Sequence, residues 1–202
     1  MSICYSTRNL QFNIMKTQAK ELFVHVYTDS SYADCKDTCK STAGFCTFLN
    51  NNLISWGSPM LPTVGLSVAE SELMAACEGA KDGLFTINLL GEVLNPSLKI
   101  EAPAKLFMDN TAAQFMAQNP VNSKRTKHIA VKFHFLRQKV QEKIYRILHV
   151  DTHENVADYF TKILDGAKFM KFSRMLLGYA AKTTEHCCAS CYSCFKQWGG
   201  VL

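Results

Sequence analysis

Four acidic residues hold positions from which carboxylates do chemistry. Asp29 closes the apolar run Leu22-Phe23-Val24-His25-Val26-Tyr27-Thr28, and Asp109 closes Ala104-Lys105-Leu106-Phe107-Met108. Glu72 sits early in a segment of helical spacing, and Asp158 follows the last strand-like run. Acids at the ends of elements from distant parts of a chain can converge on one point. Hard oxygen donors with no His or Cys among them select Mg²⁺ or Mn²⁺ over zinc. Two such ions, about 3.5 to 4 Å apart, activate a water and stabilise the departing oxygen in phosphodiester hydrolysis. Each acid alone also has an everyday role, Asp29 and Asp109 as turn formers after strands, Glu72 and Asp158 as helix-surface charges.

The elements that must position these acids follow from periodicity. The β-branched and aromatic run from Leu22 predicts a strand that delivers Asp29 at its C-terminal end. Ala43–Leu49 and Leu53–Trp56, separated by Asn50-Asn51-Asn52, predict a β-hairpin, because asparagine tolerates positive φ. Leu73, Ala76, Cys77, Ala80 and Leu84 recur at helical spacing, predicting a long helix from Ser67 to Leu90 with Ser67 as N-cap and Glu70 three residues on. A Pro-containing linker leads to the strand ending at Asp109. A short helix from Thr111 to about Gln118 and a longer one from about Lys127 to Lys143 follow, the second with Ile129, Phe133, Leu136 and Val140 on one face. Ile144–Val150 predicts a strand, Glu154–Ile163 a helix carrying Asp158, and Phe169–Leu177 a last amphipathic helix. This order implies a mixed sheet with helices packed on it, an α/β fold.

At 202 residues and 48% apolar composition the chain can bury a full core, which excludes wholesale disorder. A net charge of +5 suits a polyanionic partner without identifying one. No apolar run approaches the roughly 18 to 20 residues that span a bilayer, and the polar N-terminus lacks a signal-peptide core. A soluble, intracellular protein without a membrane partner is therefore expected. The nine cysteines are expected to be reduced, with Cys46 and Cys77 as buried thiols.

Seven separated stretches carry a resemblance. They are Tyr27-Thr28-Asp29-Ser30; Lys40 to Phe45 with Ile54-Ser55-Trp56; Leu66 to Glu72; Met108-Asp109-Asn110-Thr111-Ala112; Arg125-Thr126-Lys127-His128-Ile129; His134-Phe135-Leu136-Arg137; and Val156-Ala157-Asp158-Tyr159-Phe160-Thr161-Lys162. Together they resemble the ribonuclease H domain that closes the Pol polyprotein of copia-type retrotransposons, in that family's order and spacing. The resemblance implies a ribonuclease H-like fold, a mixed five-stranded sheet with helices on both faces. It implies Asp29, Glu72, Asp109 and Asp158 as catalytic, metal-binding acids for two Mg²⁺ or Mn²⁺ ions. Glu70 is a close rival to Glu72, but two residues apart on a helix they point to nearly opposite sides. The run Glu72-Leu73-Met74-Ala75-Ala76 also resembles the acidic helix of cellular ribonucleases H, which leaves Glu70 as an N-terminal helix charge. His153 is an auxiliary candidate, with a plain exposed loop position as its ordinary alternative.

The implied substrate is an RNA·DNA hybrid, recognised through phosphates and 2′-hydroxyls rather than base sequence. Ser30, Asn110, Lys124, Arg125, Lys127 and His128 are the expected contacts. Lys132, Arg137, Lys139 and Lys143 continue the basic stretch, or solvate the outer face of its helix. A reverse transcriptase domain acting in trans is a further implied partner, and a retroelement particle in the cytoplasm, or the nucleus, the implied location. The expected organisation is a remnant of an upstream connection at 1–20, the ribonuclease H domain at 21–178, and an unstructured Cys-rich tail at 179–202. The tail carries Cys187, Cys188, Cys191 and Cys194 beside His186, only half of a zinc-site pattern. A second reading, a catalytically silent remnant that only binds nucleic acid or protein, stands against the retention of all four acids.

Overall fold

The computed structural model describes residues 21–93, 99–119 and 130–177. The expected upstream remnant, the Cys-rich tail, and the Lys124, Arg125, Lys127 and His128 contacts lie outside the described residues. The strands are β1 (Glu21–Leu22), β2 (Val24–Ser31), β3 (Thr42–Leu49), β4 (Asn52–Gly57), β5 (Lys99–Ile100), β6 (Ala104–Met108) and β7 (Tyr145–His149). The helices are α1 (Val68–Val93), α2 (Thr111–Gln118), α3 (Ala130–Gln141) and α4 (Gly166–Leu176), with a 3₁₀ turn at Val156–Phe160 before α4.

The main sheet has the order β4-β3-β2-β6-β7. The β2–β3 and β3–β4 pairs are antiparallel, whereas β2–β6 and β6–β7 are parallel. This is the mixed five-stranded sheet expected from the sequence. The β3–β4 hairpin turns through Asn50, which takes φ 55°, the left-handed conformation its asparagine tolerates. Two short strands, β1 and β5, pair in parallel as a separate ribbon, which splits Leu22 off from the strand expected to begin there; two residues give no periodicity to find.

Side chains alternate across β2, and the alternation sets the two layers. Val24 and Val26 join Leu73, Met74, Ala76, Cys77 and Ala80 of α1 in the larger core, which Leu106, Phe133, Leu136, Tyr145 and Ile147 complete. Tyr27 and the β3 residues Cys46 and Phe48 face the opposite layer, built by Val156 of the 3₁₀ turn and Phe172 and Leu176 of α4. Helical elements thus cover both faces. The α1 stripe is small where it crosses the sheet: a Cβ on Gly79 would lie 2.5 Å from Thr28 Cγ2. Tyr145, buried under the same helix, donates its hydroxyl to the Ala80 carbonyl at 2.8 Å. Cys46 and Cys77 are buried thiols as expected, and burial pushes the Cys77 thiol up to about 12.

The helix expected over Glu154–Ile163 is the one element that changes type. Only Val156–Phe160 is helical, as a single 3₁₀ turn. Asn155 accounts for the start: its Oδ1 accepts from the Ala157 N–H, while its Nδ2 donates to the Thr28 carbonyl at 3.0 Å. Thr161, at φ −122°, ends the turn. The turn lies directly on β3 at Gly44, where a Cβ would sit 2.5 Å from Thr161 Cγ2 and 2.9 Å from the Ala157 carbonyl oxygen.

Candidate metal centre

β2 and β6 run in parallel, so their C-terminal ends lie side by side, where open α/β sheets place chemistry. Asp29 lies within β2, two residues before its end, and is fully buried; Asp109 follows β6 and is half-buried. Glu72, in the second turn of α1, is buried and approaches from the first layer. One carboxylate oxygen from each of Asp29, Glu72 and Asp109 lies within 4.8 Å of the others.

The start of α1 separates Glu72 from Glu70. Ser67 Oγ accepts from the Glu70 N–H at 3.2 Å, and Glu70 Oε2 accepts from the Leu66 N–H at 2.7 Å. Glu70 thus serves as the acid of an N-terminal cap, a variant of the capping box in which the carboxylate reaches one residue further back. Glu72 Oε1 accepts only a long bond, 3.4 Å, from the Ser30 N–H. Its Oε2 is buried with no hydrogen-bond partner among the described residues.

A buried carboxyl with one long hydrogen bond and one oxygen without a donor is a poor environment for an anion. Burial raises Glu72 to about 8, and the charges of Asp29 and Asp109 push the same way. Burial also raises Asp29, to about 6, against the lowering effects of Lys162 and Thr161. Lone pairs from three converging acids, one oxygen of which has no donor, fit a hard divalent cation: the oxygen-only donor set selects Mg²⁺ or Mn²⁺, and such a charge would return Asp29 and Glu72 to their anionic forms.

Asp158 is held differently. It is buried at the 3₁₀ turn, outside the three-acid group, and both its oxygens meet ammonium groups. Lys162 Nζ lies 2.8 Å from Asp158 Oδ1 and 3.0 Å from Asp29 Oδ1, so it bridges the two acids. Lys168 Nζ pairs with Asp158 Oδ2 and donates to the Thr152 carbonyl at 3.0 Å. Thr161 Oγ1 donates to Asp29 Oδ2, and Thr152 Oγ1 to Asp109 Oδ2 at 2.9 Å.

The remaining expected residues are spread around this centre. Ser30 is buried against Glu72, and its Oγ has no partner among the described residues. Asn110 caps α2, its Oδ1 accepting from the Ala113 N–H at 3.0 Å. His153 is exposed in the loop before the 3₁₀ turn, where its N–H donates to Asp151 Oδ1 at 2.8 Å. Within the basic stretch, Lys132 pairs with Glu78, Lys139 with Glu142, and Arg137 donates to the Asn119 carbonyl at 2.7 Å. These three cations are engaged within the fold.

Lys162, Lys168, Thr152 and Thr161 carry no role in the sequence reading. Lys162 had a usable signal, since it follows Asp158 by four residues within a stretch already matched as a motif. Lys168 and Thr152 had none, because their proximity to Asp158 and Asp109 is created by tertiary packing alone.

Comparison with known proteins follows the same lines. No protein-family profile matches the chain. It is 32% identical over 160 residues to the retrovirus-related Pol polyprotein from transposon RE1 of Arabidopsis thaliana, covering 79% of this chain and 11% of that protein. It is 32% identical over 163 residues to that from transposon RE2 of the same plant, covering 81% and 11%. With the Pol polyprotein from transposon TNT 1-94 of Nicotiana tabacum it shares 32% identity over 144 residues, 71% and 10% of the two chains. The chain thus spans about a tenth of the length of these curated relatives. Among solved structures, the ribonuclease H1 LC11, isolated from compost by a metagenomic approach, superposes with a TM-score of 0.50 at 15% identity, covering 69% of this chain and 92% of that one.

Proposed function

This chain belongs with the copia-type retrotransposon Pol polyproteins, as the homologue of one segment of them folded as a ribonuclease H-type domain, and from that premise we propose that it is a divalent-metal-dependent endonuclease cutting the RNA strand of RNA·DNA hybrids. The observation that carries this reading is the convergence of Asp29, Glu72 and Asp109, with Glu72 Oε2 buried and unpartnered.

Asp29, Glu72 and Asp109 would hold Mg²⁺ or Mn²⁺, and Asp158 would complete the set for a second ion. Such ions supply a water ionised at neutral pH and positive charge for the departing 3′-oxygen. The chain's own residues set the terms of binding. Thr152 and Thr161 orient Asp109 and Asp29 by hydrogen bonds, and Asn155 ties the 3₁₀ turn to β2, which fixes Asp158 relative to Asp29. Burial of Asp29 and Glu72 keeps water from competing for their oxygens.

Ser30 and Asn110, flanking Asp29 and Asp109, are proposed substrate contacts, with Lys124, Arg125, Lys127 and His128 as phosphate contacts. A reverse transcriptase domain is the proposed partner that presents the hybrid. Contacts to phosphate and 2′-hydroxyl groups carry no base information, so cleavage is sequence-tolerant. The test is incubation of a 5′-labelled hybrid with Mg²⁺ or Mn²⁺ and the chain, wild type against Asp109→Asn. Wild type releases RNA fragments and leaves duplex DNA intact; equal cleavage by both proteins, or by neither, contradicts the reading.

A further inference from the structure

The acids of the site are not matched by acids alone. Two ammonium groups, Lys162 on Asp29 and Asp158 and Lys168 on Asp158, stand beside the four acids, so with all four acids ionised around a bound cation two net negative charges remain, the number that one divalent ion cancels. Lys162 is the group that joins the two halves. Its Nζ lies within 3.0 Å of an oxygen on each of Asp29 and Asp158, and so stands where a cation shared by those two acids would stand.

The two lysines differ in how firmly they are fixed. Lys168 has a side chain 18% exposed, also bonds the Thr152 carbonyl, and lies over the Phe172 ring at 5.4 Å. The Lys162 side chain is 39% exposed, and its ammonium has the two aspartates as its partners among the described residues. A flexible, partly solvated stem lets the ammonium leave toward water, whereas Lys168 stays with Asp158.

We propose that Lys162 is a built-in competitor for the second divalent cation, its ammonium bridging Asp29 and Asp158 so that the free chain takes up one ion at Asp29, Glu72 and Asp109 and a second only when Lys162 is displaced. This rests on the reading of the three acids as a divalent-cation site. A phosphate of the bound strand is the class of ligand that would draw the ammonium away, since it offers charge-assisted hydrogen bonds of the same kind. Metal loading is thereby coupled to substrate.

Mn²⁺ binding to the full chain, followed by electron paramagnetic resonance without nucleic acid, tests this on wild type, Lys162→Met, Lys162→Gln and Lys162→Arg. Wild type and Lys162→Arg bind one ion in the accessible range. Each neutral variant gains a second, with affinity at least roughly tenfold above any weak second site of wild type. Either neutral variant that folds suffices, with folding checked by circular dichroism. Isotherms of the neutral variants that overlay wild type overturn the competitor role, as does a wild type that already binds two ions with equal strength. Absence of Mn²⁺ binding in every protein overturns the three-acid cation site itself, which separates the two failures.

Discussion

The two sides of the site keep buried carboxylates by opposite means. On the side of Asp29, Glu72 and Asp109, acids face one another, and Glu72 keeps a lone pair with no donor. On the side of Asp158, each oxygen has an ammonium partner and the charge is already matched. Burial of an ion is tolerated only when it is paired or when its pKa moves. The first side takes the second route, the Asp158 side takes the first, and Asp29 belongs to both. Cation affinity is therefore expected to reside mainly on the unmatched side.

The largest effect expected from this contrast comes from Glu72→Gln. It should reduce hybrid cleavage by on the order of 10³-fold in a single-turnover assay. The same variant should unfold at a higher temperature than wild type in EDTA near neutral pH, because an amide does not bear the cost of holding protonated, in a buried site beside Asp29 and Asp109, a carboxyl that ionises freely in the unfolded chain. A loss of activity together with a loss of stability would show that Glu72 is structural, and the contrast between the two sides would fail.

Next in size is Gly44→Val. A side chain there must displace the 3₁₀ turn that carries Asp158 and leads into Lys162, because Thr161 and the Ala157 carbonyl already occupy the space. A cost of about 2 to 4 kcal/mol in urea unfolding is expected, together with impaired cleavage. Mn²⁺ binding to the three acids should weaken less than cleavage does. Equal losses would mean that the two sides cannot be separated.

The pH dependence sharpens the contrast further. Asp29 at about 6 and Glu72 at about 8 bind their protons more tightly in the folded chain than in the unfolded one. Their contribution to stability is full below about pH 4 and drains as pH rises through 6 and then 8. In EDTA the melting temperature should fall across that window by roughly 5 °C or more. Excess Mg²⁺ should oppose the fall, most strongly at its alkaline end. A metal-induced shift in melting temperature that is larger at pH 5 than at pH 8 would contradict the assignment.

The smallest effect belongs to Glu70→Ala, which leaves no side-chain acceptor for the Leu66 N–H. Loss of a capping carboxylate costs about 1 kcal/mol of stability and leaves cleavage and Mn²⁺ binding near wild type. Thermal melts beside cleavage rates would show this, and a defect approaching that of Glu72→Gln would reverse the roles of the two glutamates.

What was legible in the sequence followed local rules. The β-branched and aromatic run of β2, the Asn50 turn, the α1 stripe and the Ser67 cap are each set by neighbours a few residues apart, and the structure has them close to their expected places. Asp29 and Asp109 stood out in the sequence because both close apolar runs, although β2 continues two residues past Asp29. The choice of Glu72 over Glu70 needed the resemblance, and the cap geometry then gave Glu70 an occupation of its own. The 3₁₀ turn was not legible. Its start depends on Asn155 reaching Thr28, 127 residues earlier, and its fit on β3 depends on Gly44, which reads in the sequence only as part of a strand. The pairing of Asp158 with Lys168 was hidden for the same reason, since ten residues and a change of element separate them.

The most direct test of the central claim is anomalous diffraction from crystals of the full chain grown with Mn²⁺ and without nucleic acid. A single strong peak among the carboxylates of Asp29, Glu72 and Asp109, with Lys162 still bridging Asp29 and Asp158, is the predicted result. A peak bound by Asp158 but not by Glu72, or no peak at these acids at saturating Mn²⁺, would contradict it.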